Sequence, residues 1–177
     1  MKLTRRSVLA EASITAPTLA RAQQGLAVPT KWYRVQIDDN AFKVEMPGIP
    51  DHRITSDVSA RGTPFLLHSY SLEVGGDSYV VQTAFYPFDV DTTQPRIVLQ
   101  AALDARAQRL TGRKWSSFGW TMIDEAEAVQ SFGTLPSGSQ LRQLSFLKEH
   151  RFGSLAFMGA NVTGPDSDRF FKSVKLK

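Results

Sequence analysis

Pro95-Arg96-Ile97-Val98-Leu99-Gln100-Ala101-Ala102-Leu103-Asp104-Ala105-Arg106-Ala107-Gln108-Arg109-Leu110-Thr111 is the long stretch of this chain that repeats with a helical period. At about 100° per residue, Val98, Leu99, Ala102, Leu103, Ala105 and Leu110 gather on one side, with Gln100, Asp104 and Gln108 opposite. Asp89-Val90-Asp91-Thr92-Thr93-Gln94 ahead of it supplies cap-forming acids, Pro95 suits the first turn, and Gly112 supplies a stop. The pattern therefore predicts a helix over about 94–111. Arg106 falls inside the apolar sector. A cation there either snorkels to the edge or meets a carboxylate beneath the helix, and the ion pair is the leading expectation. An anion-binding pocket at the helix–sheet seam is the alternative.

On both sides of this helix the period falls to two. Phe42, Val44 and Met46 alternate with Lys43 and Glu45 until Pro47-Gly48-Ile49-Pro50 ends the run. A short extended run at 32–36 precedes it across the turn Asp38-Asp39-Asn40. Further strands are expected at 52–59, 64–74 and 79–86, the last two joined by a hairpin turn at Gly75-Gly76-Asp77. In the 64–74 strand Leu66, His68, Tyr70, Leu72 and Val74 share one face, which places His68 in a core. After Gly112 come strands near 114–123, 128–134, 140–148 and 151–162, with loops at 135–139 and at Glu149-His150. Asp166 to Ser173 reads as a short helix carrying Phe170 and Phe171, and Val174 to Leu176 as a last extended segment. The order implies an α+β fold, with helices covering a mostly antiparallel sheet.

Thr4-Arg5-Arg6-Ser7-Val8-Leu9 is similar to a twin-arginine export signal. An apolar run from Val8 to Leu19 follows, then the small-x-small cleavage site Ala20-Arg21-Ala22 before Gln23. Glu11 and Pro17 interrupt that run, and Ala10 stands where a lysine is usual in such signals. A general secretory signal, with Arg5 and Arg6 as its positive region, is thus the competing route. The expected organisation is an export signal at 1–22, a loose lead-in at 23–30 and a single domain at 31–177. The expected location is periplasmic or secreted.

Removing the leader changes the charge. Residues 1–22 hold four of the chain's 21 Lys and Arg but only one of its 17 Asp and Glu, so the remainder is close to neutral. No run of four or more Lys or Arg survives there, which argues against nucleic acid as a partner and against a polybasic membrane anchor. No second long apolar segment follows, so no stable membrane insertion is expected after leader removal. The chain has no cysteine, which excludes disulfides, thiolate metal sites and a cysteine nucleophile. About 155 residues remain after the leader, enough for one core without covalent staples.

Three segments carry a resemblance: Phe42-Lys43-Val44-Glu45-Met46-Pro47-Gly48-Ile49-Pro50, then Leu103-Asp104-Ala105-Arg106 with Leu110-Thr111-Gly112, then Asp168-Arg169-Phe170-Phe171-Lys172-Ser173-Val174-Lys175-Leu176. This ordering resembles small exported bacterial domains of unassigned function. Their architecture is similar to that of PsbP, the extrinsic oxygen-evolving subunit of plant photosystem II. The likeness spans nearly all of 40–177. It implies an α/β/α sandwich, a fold also seen in a Ran-binding nuclear import factor, and a binding or assembly role without chemistry of its own. The motifs are structural, so no functional residue is carried over from them.

Each motif that could carry catalysis also has a structural reading. Asp89-Val90-Asp91-Thr92-Thr93 fits the nucleophile loop D-x-D-x-T of haloacid-dehalogenase-type phosphatases, but Pro87 and the following helix favour two acids that start that helix. His52, His68 and His150 lie in separate segments without metal-ligand spacing. Neither a serine-hydrolase elbow nor a phosphate-binding glycine loop is present. Asp38-Asp39 and Asp124-Glu125 read as solvated turns. Trp115, Phe118, Trp120, Tyr79, Phe85 and Tyr86 read first as fillers of a layered core and second as a stacking surface.

The expectation from the sequence is therefore an exported, cofactor-free binding or accessory protein, not an enzyme, whose partner is an unknown periplasmic protein or small ligand. The alternatives are a small-molecule binder with a pocket between helix and sheet, contacted by Arg106, His68 and Trp120, and a hydrolase assembled in space.

Overall fold

A computed structural model of the chain describes residues 31–38, 41–111 and 114–177. The export signal with Arg5, Arg6, Ala20 and Ala22, the lead-in, Asp39-Asn40 and the stop at Gly112 lie outside the described residues. Two sheets form. β1 (Tyr33–Ile37), β2 (Phe42–Met46) and β10 (Lys175–Leu176) make a three-stranded sheet in the order β1-β2-β10. A seven-stranded sheet follows the order β3-β4-β5-β9-β8-β7-β6, all antiparallel. Its strands are β3 (Asp51–Val58), β4 (Pro64–Val74), β5 (Asp77–Phe85), β6 (Ser117–Ile123), β7 (Ala126–Thr134), β8 (Gln140–Lys148) and β9 (Arg151–Gly159). Helix α1 (Pro95–Arg106) continues into a wider π turn at Ala107–Thr111, and α2 (Pro165–Lys172) precedes β10. The α+β reading holds, and most strand limits fall within two residues of those predicted.

Each tight connection has a local cause. Gly75 and Gly76, at φ 62° and 88°, form the two-residue turn whose twist suits the β4–β5 hairpin. Asp124 and Glu125 do the same work between β6 and β7 at φ 42° and 70°, a conformation that favours glycine. The acids before α1 depart from expectation. Gln94 is the N-cap and no side chain caps the helix, although Pro95 does open it. Asp91 Oδ1 accepts from the Thr93 amide and hydroxyl, 3.0 and 2.6 Å away, closing a local turn. Asp89 Oδ2 accepts from Ser59 Oγ and Thr63 Oγ1 at 2.7 and 2.9 Å, tying the β3–β4 turn to the loop before α1. Both acids are spent on loop geometry before the helix begins.

The main sheet is covered on both faces. On one, Tyr70, Tyr79, Val81, Phe146, Leu155 and Phe157 pack against Ile37, Phe42, Val44 and Met46 of the small sheet and against Phe170 and Phe171 of α2. Arg142 anchors α2 through Asp168 Oδ1 at 2.7 Å, with its guanidinium over the Phe171 ring. Lys172 and Arg142 together hold the Asp168 carboxyl down at about 2. On the other face Leu99 and Leu103 of α1 meet Val129, Leu147 and Phe152. Trp115 locks this side by donating its indole N–H to the Leu103 carbonyl at 2.9 Å.

One glycine is required by this arrangement. Phe146 and Gly153 are direct cross-strand partners, and the Phe146 ring lies where a side chain on residue 153 would begin. The ring is thereby turned edge-on to Phe42, centroids 5.1 Å apart. Gly153→Ala is expected to lower unfolding free energy by about 1–3 kcal/mol through overpacking. Gly119→Ala, where a methyl group meets no neighbour, is expected to change it by less than about 0.5 kcal/mol. Chemical denaturation of both variants checks the pair, and equal effects would refute the role given to the Phe146–Gly153 contact.

Candidate functional site

The small sheet is narrower than the one it covers, so one end of the main sheet stays open on that face. Residues opposite one another in antiparallel strands share a face. His52 opposes Tyr70, Ile54 opposes His68, and His68 opposes Thr83. One step beyond the Leu67–Ala84 pair, Leu66 and Phe85 emerge on this same face, and Phe85 opposes Arg151. Ile54, Leu66 and Phe85 are 53%, 54% and 45% exposed, and Phe88 in the loop after β5 is 83% exposed. The predicted apolar face of β4 therefore exists, but among its members Tyr70 is buried while Leu66 reaches solvent and His68 is half-buried. Alternation gives the face; only the extent of the covering layer decides which of its residues are inside.

A cavity of about 390 Å³ opens beside this patch, between β2, β10 and the β8–β9 turn. Ala41, Phe42, Phe146 and Leu176 form its apolar floor with Phe85 at its side, and Lys148, Glu149, Arg151 and Lys177 form its rim. Glu149 sits in the two-residue turn at φ 53°. His150 beside it stands 4.8 Å from the Phe88 ring centre and 5.9 Å from that of Phe85. The Arg151 guanidinium lies 5.4 Å from the Phe85 ring centre and pairs with Asp38 Oδ2.

Asp38 joins the cavity to the histidines. Its amide donates to Tyr70 Oη at 3.1 Å, and its Oδ1 lies 3.7 Å from His68 Nδ1, too far for a hydrogen bond. His52 stacks on Tyr70 at 4.2 Å and faces His68 at 5.3 Å. His52 and His68 thus meet beside Tyr70, whereas His150 packs against Phe85 and Phe88. Among the described residues His68 Nδ1 has no hydrogen-bond partner. No cluster of three or more His, Asp or Glu with metal-binding proximity occurs among the described residues either.

Arg106, His68 and Trp120 do not form one site. Arg106, at the end of α1, and Trp120, beneath that helix, lie on one side of the sheet, whereas His68 lies on the opposite side. Among the described residues no carboxylate lies within ion-pair distance of Arg106, which corrects the expected ion pair. Its guanidinium instead donates to Ser154 Oγ at 2.6 Å and to Gln82 Oε1. These belong to a polar row at a single register across four strands, Ser69, Gln82, Ser154 and Ser145. Burial lowers the Arg106 pKa to about 10, leaving it cationic at neutral pH. Trp120 packs under α1 with Arg96 stacked 5.4 Å from its ring. Of the other aromatics, Trp115, Tyr79 and Tyr86 fill the two cores, while Phe85 and Phe118 remain half-exposed.

Asp38, expected in a solvated turn, instead pairs with Arg151, and the residues that sequence reasoning missed are Phe88, Lys148, Arg151 and Lys177. Phe88, an aromatic inside the breaker-rich Pro87-Phe88-Asp89, carried a readable signal; the cations did not, because their grouping depends on strand order.

No protein-family model matches the chain, and no curated protein matches it. Among solved structures it is similar to the solution structure of cyanobacterial PsbP (CyanoP) from Synechocystis sp. PCC 6803, with 9% identity and a TM-score of 0.53. The match covers 92% of this chain and 100% of that one. The fold of this chain is thus PsbP-like.

Proposed function

We propose that this chain is a binding or accessory domain that works without catalysis, exported to the periplasm, and that it engages its ligand or partner at the open end of the sheet. The observation that carries this reading is the cavity, whose aromatic floor is ringed by three cations and one acid. Arg151 is balanced by Asp38, and Lys148 Nζ donates to the main-chain oxygen of Lys177, so cationic donors and one acid, Glu149, are held together around the rim. An apolar floor with a few convergent charges is the common form of a site for a small organic group. The chemistry fitted here is an apolar or aromatic group carrying a carboxylate. The likeness to PsbP supports an accessory role by analogy of fold. Buried Arg106, a cation with no carboxylate within ion-pair distance among the described residues, favours a second reading, an anion held at the α1 seam.

Titration of the isotope-labelled full chain with 3-phenylpropionate, followed by NMR, separates the two readings. Saturable shifts at Phe85, Lys148, Glu149 and Arg151 are expected, with the uncharged amide analogue about tenfold weaker. Shifts centred on Arg106 and Ser154 would transfer the site to the seam, and turnover of an ester or phosphate abolished by a point substitution would overturn the non-catalytic reading.

Export rests on Thr4 to Leu9 and Ala20-Arg21-Ala22. Changing Arg5 and Arg6 to lysine is expected to strand the chain in the cytoplasm, as judged by cell fractionation. Undiminished export and cleavage would instead assign the general secretory route, and an uncleaved cytoplasmic wild-type chain would contradict export altogether.

A further inference from the structure

β3 ends the main sheet, and among the described residues no strand pairs with its outer edge. An open edge presents a row of unpaired N–H and C=O groups, which proteins ordinarily blunt with proline, lysine, bulges or brevity. β3 has none of these, and its charged residues, Asp51, Arg53 and Asp57, are of both signs. It runs for eight residues with neither lysine nor proline, and its register with β4 is unbroken from Asp51–Ser71 to Val58–Pro64. His52, Arg53, Ile54, Thr55 and Ser56 are all exposed.

We propose that β3 pairs antiparallel with β3 of a second copy of this chain about a two-fold axis through Thr55. The register follows from geometry and charge. A two-fold axis perpendicular to the sheet preserves its face, and directly opposed residues share a face, so the axis must pass through a residue pair. Centred on Thr55, the pairing sets Arg53 opposite the partner's Asp57, and by symmetry Asp57 opposite the partner's Arg53. Ile54 then meets the partner's Ser56, and His52 meets the partner's Val58. Each neighbouring register is worse. Centring on Arg53 opposes the two arginines, centring on Ile54 opposes Asp51 to the partner's Asp57, and centring on Ser56 leaves Arg53 and Asp57 of each copy without an opposite charge. Opposite charges across strands stabilise a pair and like charges destabilise it. Among the described residues Arg53 has no carboxylate within ion-pair distance, and the only bond to Asp57 is from the adjacent Val58 amide at 2.8 Å.

The dimer joins two seven-stranded sheets into one. Because the axis keeps the face, both open ends bearing Ile54, Leu66 and Phe85 lie on the same side, close to the join. This inference goes beyond the binding reading and does not depend on it.

Analytical ultracentrifugation of the full chain is expected to show mass rising from 19.6 kDa toward twice that value with concentration. Asp57→Arg is expected to weaken association about tenfold, and adding Arg53→Asp to restore it to within about threefold. The chain has no cysteine, so Thr55→Cys supplies a clean geometric readout. Cα atoms facing across antiparallel strands lie within disulfide reach. Mild oxidation should therefore link Thr55→Cys chains rapidly and leave Ser56→Cys, displaced by two positions from its own copy, unlinked. A chain that stays monomeric at every concentration overturns the proposal. So does preferential linking of Thr121→Cys on the opposite edge strand β6, or of Ser56→Cys.

Discussion

β8 and β9 have no solvent face. Leu141 to Leu147 and Phe152 to Phe157 are buried without interruption, because the small sheet and α2 cover one side and α1 the other. Alternation in these strands therefore separates two interiors instead of inside from outside. One interior is filled with aromatic and aliphatic groups, including the Phe146 ring seated on Gly153. The other contains a polar row, whose hydroxyls and amides must find partners within the protein because a buried polar group left unpaired is costly. Arg106 reaches down from the last turn of α1 to meet that need, bonding to Gln82 and Ser154. A helix with a cation in its apolar sector is what this sheet face requires.

The same layering makes the open end. Three short strands cannot cover seven, so the face beyond Tyr70 and Val81 is left to Ile54, Leu66, Phe85 and Phe88. The turn between β1 and β2 places Asp38 over this end, where it meets Arg151 and approaches His68. The cavity floor is the edge of the hydrophobic core itself, Phe42 against Phe146. Binding there would draw on a surface already held rigid by packing, without a dedicated loop scaffold.

Strands and helices were legible because each carries its own period or its own breaker. The alternation of Phe42, Val44 and Met46, the glycine pair before Asp77 and the stripe of Leu99 and Leu103 all act within a dozen residues. What was not legible depends on strand order. Nothing local states that β5 lies beside β9, yet that adjacency brings Gln82 to Ser154 and Phe85 to Arg151. For the same reason the helical period alone predicts a carboxylate for Arg106, whereas two neutral side chains from strands distant in sequence, Gln82 and Ser154, supply its acceptors. Alternation places His68 on the right face but at the wrong depth, since depth depends on how far another layer extends. Asp89 and Asp91 have the composition of caps but do not cap α1, because hydroxyl partners, Ser59 and Thr63 in one case and Thr93 in the other, compete for the same carboxylates.

The two-sided burial of the central strands is most directly tested by residue-resolved hydrogen exchange of the full chain at low concentration. Amides in β9 and β5 should exchange only through global unfolding, about a hundredfold or more slower than those of edge strand β6. Exchange in β9 as fast as in β6 would mean that the central strands are not enclosed, and the layered account of both the core and the open end would fall with them.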